Sequence, residues 1–377
     1  MTVFAGAIAY STCWLRTRCK LNKSVYYLII FCVGGSAYLA SYSISLWKDP
    51  IFSASLSLST IQLTDCVLTN GKTMTTARML QLSILLITTC LYRNNGIYVV
   101  CIGLVFIIMC LVRHREQTGS RLAAKALLAP FIFSIACTLF ITGPIYSKLG
   151  VEPTEPAETL GIPLNQMARV VALNGRMNSE DKEFMNEILP LEQYKDKYRP
   201  SCTDMLKWDP MFNSKPLNSS SFFKRWIHMF INNPKTYLDS WVYQTFGFWS
   251  PCNEEEVLHD GNFTGGMPIN IQANSQYGKI KTRCLLPISD PMEVFPIKTR
   301  CIPAGILFWL ILVVLILVIY FNCGSMALPI SMILGLYASL FAASPIWYWP
   351  RYIAAAQLAI PCYIVIIYFI YRGYNNN

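Results

Sequence analysis

Three short polar islands are enclosed by apolar runs: "SLWKDPIFSASL" (45–56), "CLYRNNGIYVV" (90–100) and "SPIWYWPRY" (344–352). They hold Lys48, Asp49, Arg93, Asn94, Asn95, Arg351 and Tyr352. These residue types can build an anion site. A guanidinium grips a phosphate through two parallel hydrogen bonds. An amide bonds to hydroxyls in both directions, and a carboxylate can accept a proton. Each island also has a plainer reading. Lys48 and Asp49 can simply end two helices, with Pro50 setting the turn. Arg93 can snorkel from a polar helix hairpin, and Gly96 permits a tight turn after it. Arg351 can pair with Asp49. Trp347 and Trp349 fit an interfacial aromatic belt as well as an apolar platform.

The elements that must carry these islands follow from composition. Of 377 residues, 54% are hydrophobic and only 14% charged, against about 25% charged in soluble domains. The expected fold class is an all-α, polytopic transmembrane helix bundle. Apolar segments fall near 3–15, 25–46, 51–68, 77–92, 97–112, 124–143, 302–322, 326–345 and 353–371, which predicts eight or nine passes. The Ser/Thr-rich run 51–68 and the modest run 77–92 carry the weakest signals. At the start, the basic residues follow the apolar stretch, unlike a signal peptide. That stretch reads as the tail of a membrane helix whose beginning is missing.

Charge orients the bundle. Arg16, Arg18, Lys20 and Lys23 share one loop, Lys72 and Arg78 another, and Arg113, Arg115, Arg121 and Lys125 a third, with Arg372 near the end. Alternating passes put all of them on one side, which the positive-inside rule makes cytoplasmic. The C-terminus is then cytoplasmic too. The three polar islands and the long polar segment 144–301 fall on the opposite, extracytoplasmic side. The chain accordingly divides into a bundle at 1–143, an extracytoplasmic domain or lid at 144–301 and C-terminal membrane helices at 302–377. The net charge of +10 is accounted for by this asymmetry. No nucleic-acid motif accompanies it, so no nucleic-acid partner is expected.

Within 144–301, "NSEDKEFMNEILP" (178–190) predicts a helix capped by Asn178, with Asp181 in its first turn and Pro190 at its end. "NNPKTYLDSWVYQTFGFW" (232–249) predicts another from Pro234, with Tyr237, Trp241 and Phe246 toward the membrane surface. Glu155 and Glu158 follow directly on a membrane segment and either supply a carboxylate or solvate a loop. Asp204 and Trp208 are weaker candidates of the same sort. Cys202, Cys252, Cys284 and Cys301 permit up to two disulfides on an oxidising side, or remain unpaired. The other cysteines mostly lie in apolar runs as small hydrophobes. His114, His228 and His259 are scattered and make no metal-ligand spacing.

Five motifs in order, "SLWKDPIFSASL", "LYRNNGIYVV", "EPAETLGIPLNQMARVV" (155–171), "YLDSWVYQTFGFWSP" (237–251) and "SPIWYWPRYIAA" (344–355), resemble a family of uncharacterised bacterial multi-pass membrane proteins. That family is in turn similar to GT-C-type glycosyltransferases of the dolichyl-phosphate-mannose mannosyltransferase kind. The resemblance implies transfer of a sugar from a polyprenyl-phosphate donor to an envelope glycan or lipid acceptor at the outer membrane face. It implies Asp49 or Glu158 as the catalytic carboxylate, and Lys48, Arg93, Asn94, Asn95, Arg351 and Tyr352 as substrate-binding groups. GT-C enzymes usually carry an essential acid in the first external loop, just after the first membrane helix; the resemblance therefore implies that the chain is an N-terminal truncation, that the acid lies elsewhere, or that the activity is absent. A divalent cation is the one cofactor the resemblance leaves open, although no cluster of oxygen ligands stands out. A polysaccharide polymerase, a lipid-linked glycan flippase and a noncatalytic scaffold are the competing readings.

Overall fold

The computed structural model describes residues 2–34, 36–44, 48–113, 118–152, 154–251, 304–344 and 350–375. Among them the chain forms helices and turns and no sheet. The first group is α1 (Thr2–Cys19), α2 (Lys23–Gly34), α3 (Ala37–Ile44), α4 (Asp49–Leu68), α5 (Thr76–Tyr92), α6 (Gly96–Arg113) and α7 (Thr118–Phe140). A second group holds α8 (Gly161–Ala172), α9 (Ser179–Ile188), α10 (Ser221–Asn232) and α11 (Pro234–Trp249), joined by shorter helical turns. The chain closes with α12 (Ala304–Tyr320), α13 (Ala327–Ala343), α14 (Pro350–Leu358) and α15 (Ile360–Asn375).

Five helical stretches among the described residues are long and apolar enough to cross a membrane. They are Asp49–Leu68, Gly96–Arg113, Arg121–Lys148, Gly324–Ala343 and Tyr352–Gly373. Shorter apolar helices stand at Lys23–Gly34, Thr76–Tyr92 and Ala304–Tyr320. This is the make-up of a helical membrane protein. The apolar run expected over 25–46 is two helices, α2 and α3, interrupted after Gly34. The run expected to stop near 143 continues as helix to Lys148, through a wider turn at Ile141–Ile145 that accommodates Pro144.

The bundle is built around α4, which packs against α1, α5, α13 and α14. Its Ser/Thr content, which weakens the sequence signal, suits it to that place. Ser59, Thr60 and Thr64 hydroxyls donate to the carbonyls of Ser55, Leu56 and Thr60 one turn back. Each of these three hydroxyls is thus satisfied within the helix, and small side chains let neighbours approach closely. Ser57 donates to the Leu358 carbonyl at 3.1 Å, where α14 gives way to α15.

The two ends of α4 differ in chemistry. Asp49 and Asp65 stand 16 residues apart, about 24 Å along the axis. Asp65 is buried and accepts from Trp14 Nε1 at 2.9 Å, Arg18 at 2.6 Å and Arg78 at 3.4 Å. The end of α1, the end of α4 and the start of α5 are therefore tied together. Asp49, at the other end, meets the end of α5.

Helices α8 to α11 enclose a second core containing Leu164, Met167, Met185, Tyr194, Phe222 and Tyr237. The predicted cap is present. Asn178 Oδ1 accepts from the Asp181 amide at 2.7 Å, and Asp181 Oδ2 accepts from the Asn178 amide at 3.2 Å. The helix expected from Pro234 is α11, but its residues divide differently from expectation. Tyr237 is buried in the second core, its hydroxyl donating to the Trp226 carbonyl at 3.0 Å. Trp241 Nε1 instead donates to the Phe341 carbonyl at 2.9 Å, and Gln244 Nε2 to the Ser344 carbonyl at 2.8 Å. These bonds lay α11 across the end of α13 nearer α14.

Candidate functional site

Arg93 ends α5 in extended conformation (φ −144°, ψ 136°), so its side chain leaves the helix direction. Asp49 begins α4, where the helix N-terminus favours a carboxylate. The two meet at 3.4 Å between Arg93 Nε and Asp49 Oδ1. Both side chains are withdrawn from solvent, at 10% and 5% exposure. The guanidinium carbon lies 4.6 Å from the ring centre of Tyr352 on α14 and 5.2 Å from that of Phe52 on α4. Arg93 Nη1 is buried and has no hydrogen-bond partner among the described residues. A buried donor without a partner costs about 1–3 kcal/mol, so this cation is held with one donor unmatched.

Backbone packing holds the site in place. The Gly96 amide donates to the Arg93 carbonyl at 2.8 Å. A Cβ on Gly96 would overlap the Thr89 carbonyl oxygen. Glycine is thus required by close approach of the hairpin backbone, and Gly96 is not among the positive-φ residues. From the second group, Phe248 of α11 brings its ring within 6.5 Å of Tyr352.

The structure therefore brings Asp49, Arg93 and Tyr352 together and adds Phe52, which the sequence reading passed over. Phe52 lies one turn after Asp49, and that spacing on a helix was the available signal. Lys48 is exposed at the N-terminal boundary of α4. Asn94 is exposed and donates from Nδ2 to Thr154 Oγ1 at 3.3 Å, while Asn95 is half-buried. Arg351 belongs to α14, but its side chain lies outside the described residues, as do Trp347 and Trp349. Asp49 pairs with Arg93, and the Arg351 partnership suggested by sequence falls outside the described residues.

Glu158 stands apart from this cluster's contacts. It pairs with Lys207 at 2.8 Å, and Lys207 reaches Asp204 at 2.6 Å. Burial alone would lower the Lys207 pKa, but the carboxylates of Asp204 and Glu158 outweigh it and hold the ammonium above its ordinary value. Trp208 is exposed. A second buried cation, Arg169 on α8, was not singled out by sequence. It donates from Nη1 to the Tyr198 hydroxyl at 3.3 Å and lies 5.2 Å from the Tyr243 ring centre. A single basic residue in the apolar stretch "NQMARVVA" was the signal for it.

Cys202 is a free, buried thiol, and burial pushes its pKa up to about 12. Its expected disulfide alternatives involve Cys252, Cys284 and Cys301, which lie outside the described residues. Among the described residues, no three His, Cys, Asp or Glu side chains gather as a metal-binding group.

Residues 1–258 match the Family of unknown function (DUF6020). The chain belongs to that family. No curated protein matches it, and no solved structure does. For this family member, the Asp49–Arg93–Tyr352 cluster is the candidate site.

Proposed function

We propose that this chain transfers a sugar from a polyprenyl-phosphate donor to an envelope glycan or lipid acceptor, and that Arg93 holds the donor phosphate. The observation that carries the reading is the buried Arg93 guanidinium, set between Asp49 and two aromatic rings, with Nη1 unpartnered among the described residues. A phosphate oxygen would fill that donor by a charge-assisted bond. Negative charge develops on the same phosphate as the glycosidic C–O bond breaks, which Arg93 and the neighbouring Lys48 stabilise. The acceptor oxygen bonds to the sugar carbon, and its proton passes to Asp49 as general base. Tyr352 and Phe52 flank the cation and exclude water.

The bundle is read as spanning a cell membrane in eight or nine passes, with the Asp49–Arg93 end and α8 to α11 outside. Arg18 and Arg78 gather at the opposite end through Asp65, in keeping with a basic cytoplasmic side. Asp49 serves better than Glu158 as the carboxylate, because it touches Arg93 itself, whereas Glu158 pairs with Lys207. A lipid-linked glycan flippase is the second reading. It is favoured by the interrupted helix pairs α2/α3 and α14/α15.

The test uses the purified full chain in detergent with a short-chain polyprenyl phosphate. Binding raises the unfolding temperature of the native protein, and Arg93→Met abolishes the rise. A polyprenyl-phosphate sugar is then consumed with release of free polyprenyl phosphate, and Asp49→Asn lowers that rate at least a hundredfold. Binding without bond cleavage, together with lipid translocation in vesicles, selects the flippase. An equal thermal shift in native and Arg93→Met protein refutes the site.

A further inference from the structure

Helix α10 has more apolar surface than the second core uses. On a helical projection its residues fall into three sectors. Phe222 and Met229 are buried in the core, with Trp226 beside them. Arg225 and His228 lie on the polar side and engage Asp181, His228 Nδ1 at 2.7 Å. Between these sectors Phe223, Ile227, Phe230 and Ile231 are all exposed, at 56%, 49%, 38% and 68%. No polar residue interrupts that strip, and the exposed Lys224 flanks it.

The strip continues onto α11. Phe230 lies 5.5 Å from the Tyr237 ring, which joins the two helices. Leu238 and Val242 are exposed one turn apart on α11, at 60% and 37%, and Lys235 is exposed near its start. Farther along α11, the Trp249 carbonyl accepts from Trp309 Nε1 at 2.8 Å. Trp309 is itself half exposed on α12, an apolar helix whose Ile306, Val313 and Ile316 are also uncovered. The apolar strip of α10 and α11 therefore runs into the outward surface of the bundle. The bonds from Trp241 and Gln244 to the carbonyls of Phe341 and Ser344, at and just beyond the end of α13, fix α11 at the end of a candidate span.

From this continuity we propose that α10 and the outer face of α11 lie in the membrane interface as an amphipathic anchor. Phe223, Ile227, Ile231, Leu238 and Val242 enter the acyl boundary, and Lys224 and Lys235 sit among anionic headgroups. Such a helix pair has the required properties: a broad apolar face, a polar opposite face and flanking lysines. The inference rests on the bundle being embedded in a membrane and is independent of sugar transfer.

The experiment places a photo-crosslinker in the full chain, as Ile227→p-benzoylphenylalanine, Val242→p-benzoylphenylalanine or, as a control, Lys182→p-benzoylphenylalanine. All three positions are exposed, so the cores stay intact, which size-exclusion elution of each variant verifies. Each is reconstituted in bilayers of phosphatidylcholine with phosphatidylglycerol, irradiated and read by mass spectrometry. The expected result is lipid adducts at 227 and 242 and none at 182. Phosphatidylglycerol is enriched among those adducts above its share of the bilayer, and K224E/K235E removes the enrichment. Adducts at 227 to residues 252–303 of the same chain or to a second copy, or no adduct at 227, overturn the proposal. So do lipid adducts confined to 242.

Discussion

Replacing Arg93 by Met removes the positive charge while retaining an unbranched side chain of comparable reach. The change leaves Asp49, 4% exposed, without its ion-pair partner. Breaking a buried pair by deleting one member costs about 3–5 kcal/mol. Two features place this pair at the low end. The contact is 3.4 Å, longer than the 2.7–2.9 Å of a strong charge-assisted bond. Asp49 also begins α4, whose N-terminus returns roughly 0.3–1 kcal/mol to a carboxylate. The loss of cation attraction to Tyr352 and Phe52 adds about 0.5–1 kcal/mol for each ring. The expected cost is therefore about 4 kcal/mol. In the double variant R93M/D49N no charge is stranded, so its cost should fall below the sum of the two single costs by about 2 kcal/mol. Denaturant unfolding of the chain in mixed micelles measures all four states. Stability changes that add to within about 0.5 kcal/mol would show that the two residues do not act as a buried pair. A double variant that regains stability while failing to bind polyprenyl phosphate separates the structural role of Arg93 from its proposed role in binding.

Three further outcomes follow from the same geometry. Gly96→Ala drives a methyl into the Thr89 carbonyl, so it should cost about 1–3 kcal/mol and weaken polyprenyl-phosphate binding by displacing Arg93; an alanine variant of native stability contradicts this close approach. Cys202 should resist alkylation in the folded protein throughout pH 7–10, because burial raises its pKa from 9.0 to about 12. The unfolded thiol ionises first, so the thiol's contribution to stability is intact below pH 9.0 and is lost as pH rises toward about 12; a native alkylation rate that matches the unfolded chain's and levels off near pH 9.0 contradicts the burial. Asp65→Asn leaves the indole of Trp14 an acceptor but strips Arg18 and Arg78 of their charge partner; with both arginines partly hydrated, a loss of about 2 kcal/mol is expected, and no change in unfolding midpoint would remove the tie among α1, α4 and α5.

Local signals were readable in the sequence wherever neighbouring residues decide the outcome. Asn178 and Asp181 are three residues apart and cap the same turn, so their pattern predicts α9 directly. Pro234 at the first turn of α11 is equally local. The run 51–68 shows the limit of composition. Serine and threonine look unfavourable to a membrane segment when counted, yet their hydroxyls bond back to the helix that carries them. The interruption after Gly34 divides what apolarity alone joins, because hydropathy measures apolarity and not backbone continuity.

By itself the sequence determined the helical, membrane-like class of the chain and the few polar residues that stand out against it. Low charge and long apolar runs suffice for that, since the bilayer constrains composition segment by segment. Only the tertiary structure decided which of those residues meet. Asp49, Arg93 and Tyr352 come from three helices separated by up to several hundred residues of chain, and no periodicity links them. It also turned Tyr237 into a core residue and left Phe223, Ile227 and Ile231 uncovered, although all four belong to the same pair of aromatic-rich helices. The physical reason is that helix packing assigns each face its neighbour, and the face left without one is visible only when the helices are in place.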